Sequence, residues 1–114
     1  MKILVTGGRD YADAVNVWRV LDMYWGTATE ICHGAATGAD THAKDWALFR
    51  QVPVRGFPIT QDDWTKYGRG AGPRRNGQML REFQPDLVIA FPGGSGTADM
   101  VSKARAAGVQ VVLG

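Results

Sequence analysis

Residues 87–100 read LVIAFPGGSGTADM, an unbroken apolar run followed by a proline, three glycines within four positions and then a polar stretch of helical character. This reads as a strand, Leu87–Phe91, that hands over through a glycine turn to a helix, Thr97–Ala107. The same sentence is written twice more upstream. The strand Ile3–Thr6 runs into TGGRD (6–10) and a helix at Asp13–Trp25, and the strand Glu30–His33 runs into HGAATGAD (33–40) and a helix at Ala39–Arg50. Two further apolar runs, Val52–Phe57 and Val109–Leu113, read as strands, and Pro73–Phe83 reads as a helix. Strands alternating with helices predict an α/β fold: a Rossmann-like three-layer domain with a five-stranded parallel sheet. Right-handed crossovers then bring the loops after the strands to one sheet edge, where open α/β folds bind ligands.

Bulk composition narrows the function. The 114 residues are 45% hydrophobic and 21% charged, which suits a single globular domain over 1–114. Thirteen Lys and Arg against eleven Asp and Glu give a net charge of +2, and no basic run extends beyond Arg74-Arg75. Nucleic acid is therefore not an expected partner. One cysteine, Cys32, cannot close an internal disulfide, and one Cys with His33 and His42 makes no zinc pattern. No apolar stretch is long enough to span a bilayer, so a cytoplasmic protein without a membrane partner is expected.

The three glycine loops carry the chemical content. Glycine lets a ligand approach the backbone, and the free N–H groups at the start of the following helix attract anions. Each loop alone could be a tight strand-to-helix turn; three on one edge favour phosphate. None is a named fingerprint, since GGSGTAD lacks the third glycine of the dinucleotide motif and no Gly-Lys-Ser/Thr closes a P-loop. A fourth connection, Pro58–Gly72, reads as a long loop suited to binding. Its Trp64 either stacks on a base or plugs the core beneath the loop. Pro73 marks a first helical turn that also holds Arg74, Arg75 and Asn76; cations at this electropositive end suggest an anionic partner, the alternatives being solvated arginines or an internal carboxylate such as Asp10 or Asp40. Asp10 and Asp40 either cap their own loops or meet the ligand.

Together GGRD (7–10), HGAATGAD with Ala43 and Trp46-Ala47, the segment from Trp64 through YGRGAGPRRN to Met79, and PDLVIAFPGGSGTADMV (85–101) resemble the YspA-type, CpYpsA-related branch of the SLOG superfamily. The resemblance covers nearly the whole chain. It implies a Rossmann-like domain that binds nucleotides or ligands derived from NAD and ADP-ribose. The wider superfamily includes the LOG phosphoribohydrolases and DprA-type proteins. In the LOG enzymes a glutamate closing PGGxGTxxE acts with an arginine; those positions fall here on Met100 and Arg75. A thioether can neither activate water nor stabilise an oxocarbenium-like transition state. Asp99 is displaced from that position by about 100° of helix rotation. No catalytic residue is therefore assigned, and no metal or cofactor is expected.

The first helix carries Val15, Val17, Trp18, Val20, Leu21, Met23, Tyr24 and Trp25, more apolar surface than one sheet face needs, and predicts a homo-oligomer through this helix. The expected ligand is a phosphate-bearing nucleotide, adenine-, NAD- or ADP-ribose-derived, which the protein senses or sequesters, for example as a sponge for an immune signalling nucleotide. Its expected site comprises Gly7, Gly8, Arg9 and Asp10; Gly34, Thr37, Gly38 and Asp40; Trp64, Arg75 and Asn76; and Pro92, Gly93, Gly94, Ser95, Gly96 and Thr97. An N-glycosidase acting on a nucleotide is the alternative, and a protein-recruiting subunit the third reading.

Overall fold

The computed structural model describes residues 1–114. In chain order the elements are β1 (Lys2–Thr6), α1 (Ala14–Asp22), β2 (Glu30–His33), α2 (Ala39–Arg50), β3 (Val54–Gly56), α3 (Gln61–Tyr67), a 3-10 turn at Gly68–Gly70, α4 (Ala71–Phe83), β4 (Leu87–Ala90), α5 (Ser95–Ala106) and β5 (Gln110–Leu113). The five strands pair in parallel in the order β3-β2-β1-β4-β5, the expected α/β, Rossmann-like arrangement. β1 takes the centre, with Ile3 paired to Ile31 on one side and Leu87 on the other, and Ile3, Leu4 and Val5 are fully buried.

Successive strand side chains point to opposite faces, so each strand feeds two cores. Ile3, Val5, Ile31, Leu87 and Ile89 meet Val17, Val20 and Leu21 of α1 and Ala43, Trp46 and Ala47 of α2. On the opposite face Leu4, Cys32 and Val88 meet Met79 and Phe83 of α4 and Met100 and Ala104 of α5. Trp46 also ties the helix pair together, because its indole N–H donates to Asp22 Oδ1 at 2.8 Å while Arg50 pairs with the same carboxylate at 3.1 Å. No helix is long and apolar enough to cross a membrane.

The elements depart from the sequence expectations at one connection and at several ends. Within the expected loop Pro58–Gly72 lies the helix α3, opened by a capping box: Asp63 N–H donates to the Thr60 hydroxyl at 3.1 Å, and Thr60 N–H donates to the Asp63 carboxylate at 3.0 Å. α3 buries no residue, so it carries no apolar period from which to read it. α4 starts at Ala71, ahead of Pro73, because amides in a first helical turn need no helical acceptor. α5 likewise starts at Ser95 rather than Thr97. β3 is confined to Val54–Gly56, although Phe57 N–H still reaches His33 O at 2.9 Å.

α1 ends at Asp22 instead of Trp25, and the residues after it turn back with Trp25 N–H donating to Asp22 O. Part of its apolar surface is covered, Trp18 lying 5.3 Å from Phe49 of α2 between ring centroids. Val15, Met23 and Trp25 remain 80%, 71% and 51% exposed.

Gly38, at the N-terminus of α2, has φ +71°, and a Cβ there would fall on the carbonyl oxygens of Gly8 and Arg9. Gly38→Ala is expected to lower the unfolding free energy by about 2 kcal/mol or more, combining left-handed strain with displacement of the β1 loop. Urea denaturation checks this; an unchanged midpoint contradicts the contact.

Candidate functional site

Parallel pairing sends the loops after β1, β2, β3 and β4 to the same sheet edge, and the strand order reverses beside β1, opening a crevice between the loops after β1 and β4. A cavity of about 930 Å³ occupies this crevice. From the β1 loop it is lined by Gly7, Gly8, Arg9, Asp10 and Tyr11, and from the β2 loop by Gly34, Ala35, Ala36 and Asp40. Pro58, Ile59, Trp64 and Arg69 contribute from the connection after β3, Gly72, Pro73, Arg75 and Asn76 from the start of α4, and Pro92 through Thr97 from the β4 loop. A second cleft of about 580 Å³ between α3 and α4 touches none of the glycine loops.

All the expected site residues line this cavity except Thr37 and Gly38. Those two stand behind it and join one loop to another: the Thr37 hydroxyl donates to Arg9 O at 2.9 Å, and Gly38 gives the β1 loop its room. Gly8 N–H donates to Pro92 O at 2.9 Å and Ala39 N–H to Gly8 O at 3.2 Å, so the loops after β1, β2 and β4 form one hydrogen-bonded wall. Arg69, Tyr11 and Ile59 were not expected. Arg69 lies in a stretch with no apolar period, and the two apolar residues resemble core positions until the topology is known.

Asp40 and Arg75 hold the β2 loop between them. Asp40 is 5% exposed, and its Oδ2 accepts from Gly34 N–H at 3.1 Å and Ala36 N–H at 3.2 Å. Arg75 Nη1 donates to Gly34 O and to Phe57 O, the latter at 3.2 Å. The guanidinium lies so close on Gly34 that a Cβ there would displace it. Between the two, Ala35 is kept at φ +58°. Burial pushes the Asp40 carboxyl up to about 6, partly opposed by the Ala36 amide, Arg75 and the Gly34 amide. Burial lowers the Arg75 guanidinium, with Asp40 opposing. Asp40 lines the cavity, and its Oδ1 carries no hydrogen bond.

Asn76, 4% exposed, fastens the other wall: its amide nitrogen donates to Gly96 O at 3.1 Å and to Asp99 Oδ2 at 3.0 Å. Asp99 also pairs with Lys103 at 2.6 Å; burial pushes its carboxyl up, but the bonds from Lys103 and Asn76 outweigh this and hold it below the usual range. Met100 does not face the cavity at all. It is 1% exposed, in the core with Leu4, Cys32 and Phe83. His33 is occupied inside the β2 loop, its Nδ1 accepting from Ala35 N–H at 2.9 Å, and burial lowers its pKa. Trp64 is 47% exposed at the cavity wall and does not plug the core.

Comparison with known proteins places this arrangement. A family model described as the YspA, cpYpsA-related SLOG family matches residues 1–67. The Gene 61 protein of Mycobacterium phage D29 is 35% identical over 121 residues, spanning 97% of this chain and 94% of its own length. Among solved structures, UDP-GlcNAc 2-epimerase from Neisseria meningitidis bound to UDP-GlcNAc superposes with a TM-score of 0.61 at 17% identity, over 99% of this chain. DNA processing protein A (DprA) from Streptococcus pneumoniae superposes with a TM-score of 0.55 at 18% identity, over 97% of this chain. The chain spans only 32% of the epimerase chain and 58% of the DprA chain, and these likenesses carry the fold alone.

A carboxyl raised in the folded state binds protons on folding, so wild-type stability is expected to fall as pH rises through the interval from about 4 to 6. Asp40→Asn keeps an acceptor for the two loop amides without the charge. Its stability relative to wild type is therefore expected to improve by on the order of 2–3 kcal/mol between pH 4 and pH 7.5, measured by urea denaturation at both. A constant difference would show that Asp40 titrates normally.

Proposed function

The chain belongs to the YspA, cpYpsA-related SLOG family, and from that premise we propose that it binds a phosphate-bearing nucleotide ligand in the loop cavity. The observation that carries the reading is the convergence of glycine loops from β1, β2 and β4 on one cavity at the strand-order reversal. Backbone amides of the β4 loop and the start of α5 serve the phosphate, joined by Gly7, while the Gly8 amide is spent on Pro92 O. The free Oδ1 of Asp40 suits a ribose hydroxyl, and the exposed face of Trp64 suits a base. Arg75 acts one step back, by fixing the β2 loop that forms the cavity wall. An adenine-, NAD- or ADP-ribose-derived ligand fits this set of groups.

Sensing or sequestration is favoured over turnover because the position of the LOG-type acid holds a core methionine and the neighbouring Asp99 is engaged by Asn76 and Lys103. One observation gives the N-glycosidase alternative its standing: Asp40, in the cavity lining, combines a carboxyl raised to about 6 with an oxygen that has no hydrogen-bond partner. The exposed Val15, Met23 and Trp25, with Leu48 and Phe49 of α2, support self-association through the α1 side.

A panel of adenosine monophosphate, NAD and ADP-ribose is expected to raise the melting temperature, with at least one compound acting at millimolar concentration. Gly94→Val is expected to abolish this shift while leaving the unliganded protein folded, because a Cβ on Gly94 meets nothing within 4 Å. Unchanged binding in this variant would move the ligand elsewhere. Chromatography of the same compounds after incubation is expected to show no free base and no ribose phosphate. Multiple turnovers lost on Asp40→Asn would establish the glycosidase instead.

A further inference from the structure

Three arginines line the loop cavity, and they are not equivalent. Arg75 is engaged with the carbonyls of Gly34 and Phe57. Arg9 and Arg69 are exposed, and neither side chain makes a hydrogen bond or an ion pair. Arg69 sits in the Gly68–Gly70 turn, none of whose residues is buried, and Trp64 lines the same cavity from α3, which buries nothing either.

Other residues hold this segment in place. Thr60 and Asp63 close its capping box, and the Tyr67 ring lies 3.9 Å from the Arg74 guanidinium. Trp64 and Arg69 therefore add little to folding, yet they present to the cavity the two side chains best suited to a base plane and a phosphate. The phosphate-binding wall lies at the loops after β1 and β4, which are bonded through Gly8 and Pro92 and already have Arg9 beside them. A second unpaired guanidinium, brought in by the connection after β3, has no work to do with a ligand that carries one phosphate. The cavity volume agrees: about 930 Å³ lies near the top of the range of about 300–1,000 Å³ usual for small-molecule sites.

We infer that the ligand carries two phosphate groups, one on the glycine wall beside Arg9 and the other met by Arg69, with its base on Trp64. Arg69 is then the residue that selects diphosphates over monophosphates. This rests on the nucleotide reading above and deepens it.

The test is titration calorimetry of wild type, Arg69→Ala, Arg69→Lys and Trp64→Leu with adenosine monophosphate, adenosine diphosphate and ADP-ribose. Wild type is expected to bind the two diphosphates at least about tenfold more tightly than the monophosphate. Arg69→Ala is expected to weaken the diphosphates by about ten- to hundredfold and the monophosphate by less than about threefold. Arg69→Lys recovers part of the loss, Trp64→Leu weakens all three compounds, and the melting temperature of each ligand-free variant stays near that of wild type. If wild type binds these compounds but Arg69→Ala leaves the diphosphate preference intact, the assignment of Arg69 is overturned and the nucleotide reading stands. If none binds wild type at millimolar concentration, both fall together.

Discussion

Parallel pairing of every strand is the constraint from which the rest follows. It requires each connection to leave at one sheet edge and return across a face, so the polar, glycine-rich parts of the chain are gathered where the apolar parts end. Leu4 and Val5 illustrate the division: one side chain feeds each core, and the next few residues open the cavity. Because β1 lies between β2 and β4, the loop after β1 touches both of its neighbours. Its Gly8 carbonyl accepts from Ala39 N–H while its Gly8 amide donates to Pro92 O. The glycine wall is thus made of backbone held by backbone, and the side chains around it are released for other tasks.

Those tasks divide along the cavity. Asp40 and Arg75 grip Gly34 through its amide and its carbonyl, two opposite charges used to shape a loop. Asn76 does the corresponding work at Gly96 with a neutral amide. Low exposure makes these contacts demanding, since a buried polar group without its partner costs on the order of 1–3 kcal/mol. It also makes them rigid, so the loops keep one arrangement without help from a bound molecule.

The fold was legible because its strands are short apolar runs and its turns are punctuated by glycine; the strands β1, β2 and β4 and the helix α2 lie where the residues place them. The site was legible as loops, though the roles inside it were not. Arg75 reads in sequence as a cation for an anionic ligand, for solvent or for an internal carboxylate such as Asp10 or Asp40, and only the closure of the sheet brings the carbonyls of Gly34 and Phe57 under it. Thr37 and Gly38 read as part of a phosphate loop, yet the neighbouring β1 loop occupies the space in front of them. Helix α3 buries no residue and so has no apolar period in the sequence; its signal is Thr60 followed three residues later by Asp63. Met100 was recognised as the wrong residue for an acid; that its side chain points into the core depends on how α5 sits on the sheet.

The segment from Gln61 to Gly70 buries no side chain, and this bears on how such a protein changes over generations. A substitution in a packed element is filtered first for folding and only then for binding, because its stability cost is felt everywhere. Here the two filters separate. Residues at Trp64 and Arg69 can be exchanged at little cost to the fold, while the sheet, the glycine wall and the grip on Gly34 stay fixed. The cavity accordingly has one side tied to the packing of the sheet and one side that is not.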